Sequence, residues 1–218
     1  MKEKEQSIKD TKLNLFEDFK RFLHSQMVTI IVTVVIALAC YAKHAFTLNV
    51  DIDTEELIGG GTSNVQGWLT SGRYGAYFTK WITGMMHYNP YMVGILFLLF
   101  FTVGCVLWTY LFYVVSGRKS VKNYWIFSVL YITSPLWTLI FYFSMCQVEM
   151  TVGMILVTLS LFLVYDLILE KRSLLIKGFE LILSLGLLVW SMGIYQAFYS
   201  FYISGCICCY ILYLCNDE

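Results

Sequence analysis

The sequence predicts an all-α polytopic membrane protein of about six transmembrane helices, with an amphipathic interfacial helix in the first outer loop. Three observations carry this. Of 218 residues, 58% are hydrophobic and only 14% are charged, where a soluble domain carries about a quarter. Mean hydropathy is +0.67. The apolar residues also cluster into runs that approach the roughly 20 residues a bilayer-crossing helix needs. This composition excludes a disordered or fibrous chain. A formal net charge of zero gives no basis for nucleic-acid binding.

The first 25 residues mix Lys2, Lys4, Lys9, Lys12, Lys20 and Arg21 with acids. Leu13, Phe16, Phe19, Phe22 and Leu23 recur at helical spacing, which predicts a surface-lying amphipathic helix. The leader is too long and too mixed in charge for a secretory signal. Met27 to Ala42 then reads as an uncleaved first span. Five more apolar runs follow: Tyr91–Val115, Tyr124–Phe143, Thr151–Leu169, Phe179–Ile194 and Phe198–Leu214.

Two short basic connections separate these spans, one through Arg118, Lys119 and Lys122, the other through Lys171, Arg172 and Lys177. Placing the N-terminus in the cytoplasm puts both connections and the leader inside, and leaves only Lys43, Arg73 and Lys80 outside. The positive-inside rule therefore predicts two cytoplasmic termini. The division is a cytoplasmic leader over residues 1–25 and a membrane domain over 26–215, which includes an outer loop over 43–90. In that loop Tyr74, Tyr77, Phe78, Trp81, Ile82, Met85 and Met86 mark one helical face, suited to the headgroup layer.

The seven cysteines mostly lie in apolar runs. Cys206-Ile-Cys208-Cys209 contains a formal C-x-x-C, but no second pair or nearby histidine completes a zinc set. His44 and His87 lie outside without a second histidine at ligand spacing, and interfacial packing is the expected role of both.

The outer face gathers the candidate chemistry. Asp51, Asp53, Glu55 and Glu56 follow the first span at the water–lipid boundary. Such carboxylates bind a divalent cation such as Mg or Mn through oxygen, or serve as a general base. The plainer reading makes Asp53 a helix N-cap with Glu56 three residues on. Trp68-Leu-Thr-Ser-Gly72-Arg73-Tyr74-Gly75 comes next. Arg73 is the only outward arginine, and its planar donor fork matches phosphate. Its plainer role is snorkelling beside the aromatics. Gln147 and Glu149 interrupt apolar sequence at the outer end of the third and fourth spans. Tyr195 and Gln196 form the outer hairpin between the fifth and sixth. Each alone fits a role in capping a helix turn, and their convergence on one face is the functional signal. No Walker, G-x-S-x-G or Gly-rich dinucleotide motif is present, so no nucleotide cofactor is expected.

The order of first span, acidic segment, Trp-Leu-Thr-Ser-Gly-Arg-Tyr-Gly and Tyr195-Gln196-Ala197 hairpin resembles the bacterial serotype-converting glucosyltransferases of the type II group, from about Met27 to Cys215. Those are multi-span enzymes of the class (GT-C) that uses lipid-phosphate sugar donors. The resemblance implies an inner-membrane enzyme moving a sugar, glucose above all, from a polyprenyl-phosphate donor in the membrane lipid to an envelope glycan acceptor on the outer face, such as an O-antigen. It implies Asp51 or Asp53 as the base, directly or through a divalent metal, Arg73 on the leaving phosphate, and Trp68 and Tyr74 against a sugar ring. Members of that class have more than six spans, so the chain is expected to be shorter than a full member. A truncated or non-catalytic lipid-binding or assembly subunit is the alternative. A transporter is the competing class, and it requires polar residues deep in the spans, where this sequence has few charges.

Overall fold

Apolar runs in lipid become helices because each segment must satisfy its own backbone groups. The computed structural model describes residues 15–47, 54–55, 58–59, 62–117, 124–141, 143–169 and 173–217. Its helices, in chain order, are α1 (Leu15–Ser25), α2 (Met27–Phe46), α3 (Thr62–Thr70), α4 (Tyr74–Thr83) and α5 (Pro90–Val115). They continue as α6 (Tyr124–Ile132), α7 (Pro135–Phe141), α8 (Gln147–Leu169), α9 (Leu174–Ile194) and α10 (Phe198–Asp217). Five are long and apolar enough to cross a membrane: α2, α5, α8 with its preceding turn, α9 and α10.

The span expected at Tyr124–Phe143 is broken into α6 and α7. Pro135 lacks an N–H and its ring blocks a continuing helix, yet it suits the first position of a new one. The break frees carbonyls, and two side chains take them up. The Tyr41 hydroxyl donates to Ile132 O at 2.8 Å, and the Trp137 indole donates to Tyr131 O. Tyr41 also meets Phe97, Phe101 and Phe141 edge-on, with ring centroids 5.5 to 5.9 Å apart. An aromatic cluster thus fills the space beside the interruption.

Small residues set the helix spacing elsewhere. On α2 the buried positions Thr29, Thr33, Ala37, Tyr41 and Ala45 recur every four residues, giving one narrow stripe against α5 and α6. A Cβ on Gly94 of α5 would collide with the Ala45 carbonyl. The α5 start is defined locally, by Asn89 accepting from Met92 N–H at 3.2 Å and Pro90 in the first turn. Helices α8 and α9 are joined by a buried serine pair: Ser160 Oγ donates to Ser184 O at 3.0 Å, and Ser184 Oγ to Ser160 O at 3.1 Å.

Two amphipathic helices behave differently from each other. Helix α1 turns its aromatic side onto α5, with Phe19 and Phe22 against Tyr110 at 4.9 and 5.1 Å. Asp18 is buried there and accepts from the Tyr110 hydroxyl at 3.2 Å. The expected surface-lying leader helix therefore packs on protein, because its aromatic stripe finds a tyrosine ladder. Helix α4 keeps Phe78, Trp81 and Ile82 exposed, as a lipid-facing side requires. It buries Gly75, Ala76, Thr79 and Lys80 instead.

That buried face crosses α9 at close range. A Cβ on Gly75 would meet Trp190 O and Ile194 N, and one on Gly193 would meet the Tyr74 ring. Trp190 donates from its indole to Thr79 Oγ1 at 3.1 Å across the same seam. Gly75→Ala is expected to force the helices apart and cost about 1–3 kcal/mol, the range for overpacking. Gly67→Ala, where the added carbon meets nothing within 4 Å, is expected to leave thermal unfolding in detergent unchanged or slightly raised. Equal melting shifts for both would show that the crossing is looser than this.

Candidate functional site

The short junction from Phe143 to Glu149 gathers contacts from four separate parts of the chain. It contains one 3₁₀ turn, Ser144–Cys146, and the first turn of α8. Each contact follows from a polar group that the apolar surroundings leave no other way to satisfy.

Lys80 is the centre of the first group. It lies in the last turn of α4 and is 1% exposed. Its ammonium donates to Met145 O at 2.6 Å, lies 3.0 Å from Glu149 Oε1 and faces the Trp68 ring at 5.1 Å. The helix ends reinforce the pair, because a cation is favoured at the C-terminal turn of α4 and an anion in the first turn of α8. The approach to Oε1 is an ion contact without hydrogen-bond alignment, and Glu149 Oε2 has no hydrogen-bond partner among the described residues. Val65 of α3 packs on Met145 beside this pair, and Trp68 packs with them.

Gln147 forms the second group. It donates from Nε2 to Phe141 O at 2.6 Å, and His44 Nε2 lies 2.6 Å from both atoms. The side chain thus ties the ends of α2, α7 and α8 together. Its amide nitrogen is engaged within the protein. His44 is likewise part of a hydrogen-bonded network rather than packing alone.

The acidic segment is anchored beside the same turn. Thr54 is fully buried, with Oγ1 3.0 Å from Ser144 Oγ. Its neighbour Glu55 is exposed. Asp51, Asp53 and Glu56 lie outside the described residues. Among the described residues no group of three His, Cys, Asp or Glu side chains is placed to hold a metal ion.

A cleft of about 260 Å³ opens at the start of α4, lined by Ser71, Gly72, Arg73, Met192, Ile194, Tyr195 and Gln196. Helix α3 ends in a Schellman turn, with Arg73 N–H donating to Trp68 O at 2.8 Å and Gly72 N–H to Leu69 O at 3.2 Å. Gly72 makes this possible with a φ of 79°. The reversal sets Arg73 at the start of α4, where the helix dipole also favours an anion. Arg73, Tyr195 and Gln196 are exposed and share this cleft, as their convergence predicts. Tyr74 points elsewhere. Its hydroxyl donates to Val189 O at 3.0 Å, so it serves the seam between α4 and α9.

Lys80 is the site residue that the pattern did not reveal. In the sequence it is one outward charge in an aromatic segment, and the aromatic face drew the attention. A lone lysine and a lone glutamate, each interrupting apolar sequence at one membrane face, were the available signal. Lys80→Met leaves Glu149 charged and buried, and such a broken pair costs about 3–5 kcal/mol. A clear fall in melting temperature in detergent is expected. No fall would mean that Glu149 is not held as an ion by Lys80.

No curated protein and no solved structure matches the chain. The family model for Glucosyl transferase GtrII matches residues 40–218, which takes in the acidic segment, both faces of α4, the junction and the Tyr195 turn. The chain belongs to the GtrII glucosyl transferase family, and is a glycosyltransferase of the polytopic membrane type.

Proposed function

We propose that the enzyme moves glucose from a polyprenyl-phosphate donor to an envelope glycan, on the outer face of a bacterial inner membrane, with both termini in the cytoplasm. The observation that carries the reading is the cleft that combines Arg73, the start of α4 and the Tyr195–Gln196 turn. A lipid-linked donor carries its phosphate at the membrane boundary and reaches such a cleft sideways from the bilayer. Topology is supported by the basic connections, whose export would oppose the positive-inside rule.

In the proposed reaction, Asp51 or Asp53 takes the proton from an acceptor hydroxyl. The acceptor oxygen forms its bond to the anomeric carbon while the bond from that carbon to the phosphate oxygen breaks. The electron pair leaves with the lipid phosphate, and the configuration inverts. Arg73 faces the charge that grows on the departing phosphate, and stabilising such charge is generally the largest catalytic contribution. Asp51 and Asp53 are also the residues that would hold a divalent cation, Mg or Mn, which would orient the acceptor and neutralise phosphate. The competing transport reading finds no support at the break between α6 and α7, where Tyr41 and Trp137 take up Ile132 O and Tyr131 O.

The test is the mass profile of envelope glycans from cells lacking the gene, complemented with wild type or variants at matched membrane levels. Wild type is expected to restore a hexose-sized increment. Asp51→Asn/Asp53→Asn is expected to abolish it, and Arg73→Gln to lower the transfer rate by about 10²–10³-fold, the usual loss for one charge-stabilising group. Identical profiles in all strains would leave a non-catalytic lipid-binding or assembly subunit as the better account.

A further inference from the structure

The buried pair of Lys80 and Glu149 takes no part in the proposed proton transfer or phosphate departure. Three properties of it matter together. The carboxylate is buried, with Glu149 1% exposed. Oε1 lies 3.0 Å from the Lys80 ammonium, and neither oxygen has a hydrogen-bond partner among the described residues. Beside it stands a half-buried indole, Trp68, which the same lysine faces. A buried acceptor left unmade carries a desolvation cost, so a site of this kind is complete only when a donor arrives.

The chemistry selects the donor. An anion is repelled by the carboxylate. A divalent cation would lie against the Lys80 ammonium, 3.0 Å from the other oxygen. A neutral hydroxyl suffers neither penalty, and gains a hydrogen bond to a charged acceptor, the stronger kind. A sugar ring offers such hydroxyls on one edge and an apolar C–H face for an indole. Lys80 then acts as a positioning residue: with Met145 O and Glu149 Oε1 occupying its ammonium, it holds the carboxylate in one orientation.

We infer that Glu149, held by Lys80 and walled by Trp68, accepts a hydrogen bond from a hydroxyl of the hexose that the enzyme handles, and so reads the sugar while Arg73 reads the phosphate. This rests on the glucosyl-transfer reading and deepens it. The two groups belong to opposite ends of one helix: from Arg73 to Lys80 the rise along α4 is about 10 Å. Trp68 is joined to Arg73 by the turn that ends α3, so sugar wall and phosphate group are set by one backbone hydrogen bond. Access requires α3 to lift Val65 and Trp68 from Met145 and Lys80, and among the described helices α3 packs mostly on its neighbour α4.

The test separates a sugar-binding role from a structural one. Replacing a buried ion pair by apolar residues of similar size is commonly neutral or stabilising, so Lys80→Met/Glu149→Met is expected to melt no lower than wild type. The full chain in detergent would be titrated with polyprenyl phosphoglucose and with the same lipid phosphate lacking sugar. Wild type is expected to prefer the glucosylated lipid by about tenfold or more, the worth of one charged hydrogen bond. The double variant is expected to lose that preference and keep its affinity for the bare phosphate. Arg73→Gln is expected to weaken both lipids alike.

A double variant that keeps the donor preference, but needs about tenfold more acceptor glycan for half-maximal transfer, would assign the hydroxyl to the acceptor sugar. Unchanged donor preference together with unchanged acceptor dependence would overturn the inference, as would a wild type with no preference on either side. Failure of the transfer reading is seen separately. It would appear as absence of any hexose increment with wild type in cells, whatever the binding preference.

Discussion

Close approach between helices is the constraint on which the rest of this structure depends. In lipid, an apolar side chain gains little by leaving its surroundings for another helix, so association rests on fit, backbone proximity and polar contacts. The chain meets this requirement with small residues where helices touch: Gly94 against Ala45, and Gly75 against the Trp190–Ile194 backbone. Both crossings lie at the end of the bundle that carries His44, Lys80, Gln147 and Glu149. The junction of Lys80 and Glu149 is therefore set beside closely approaching helix backbone. The accuracy of its polar contacts follows from that proximity.

The broken third run extends the same logic. A proline in a membrane span liberates carbonyls, and lipid offers nothing to bind them. Tyr41 from α2 and Trp137 from α7 supply donors, and their rings complete the aromatic cluster. Helix α7 then ends at Phe141, and the chain passes through Phe143 and the 3₁₀ turn before α8 begins. That turn sets Met145 O against the Lys80 ammonium.

Much of this was legible in residue order. Hydropathy located α2, α5, α8, α9 and α10, since each needs only length and apolar content. Arg73, Tyr195 and Gln196 were also foreseen together, because topology alone brings the start of α4 and the α9–α10 turn to one end. What topology does not encode is which side of a helix faces inward. The aromatic side of α4 is exposed, as a helix in the headgroup layer requires, but nothing in the pattern marks Gly75, Thr79 and Lys80 as the side that lies against protein. Gln147 shows the same limit. Its position at the right end was readable, but its direction toward His44 and Phe141 depends on how the ends of α2 and α7 meet. Ser134-Pro135 was a visible breaker within a run otherwise apolar enough to read as continuous.

The remaining question of design is why an ion pair stands where apolar side chains would pack as well. Burying two charges carries a desolvation cost that their attraction repays only with good geometry and full hydrogen bonding. Lys80 makes one hydrogen bond, to Met145 O, with the carboxylate and an indole face beside it. Neither oxygen of Glu149 has a hydrogen-bond partner among the described residues. A pair selected for stability alone would not leave a buried carboxylate short of donors. A carboxylate oriented by a neighbouring ammonium, with its hydrogen bonds unmade, is what the inferred sugar contact would complete.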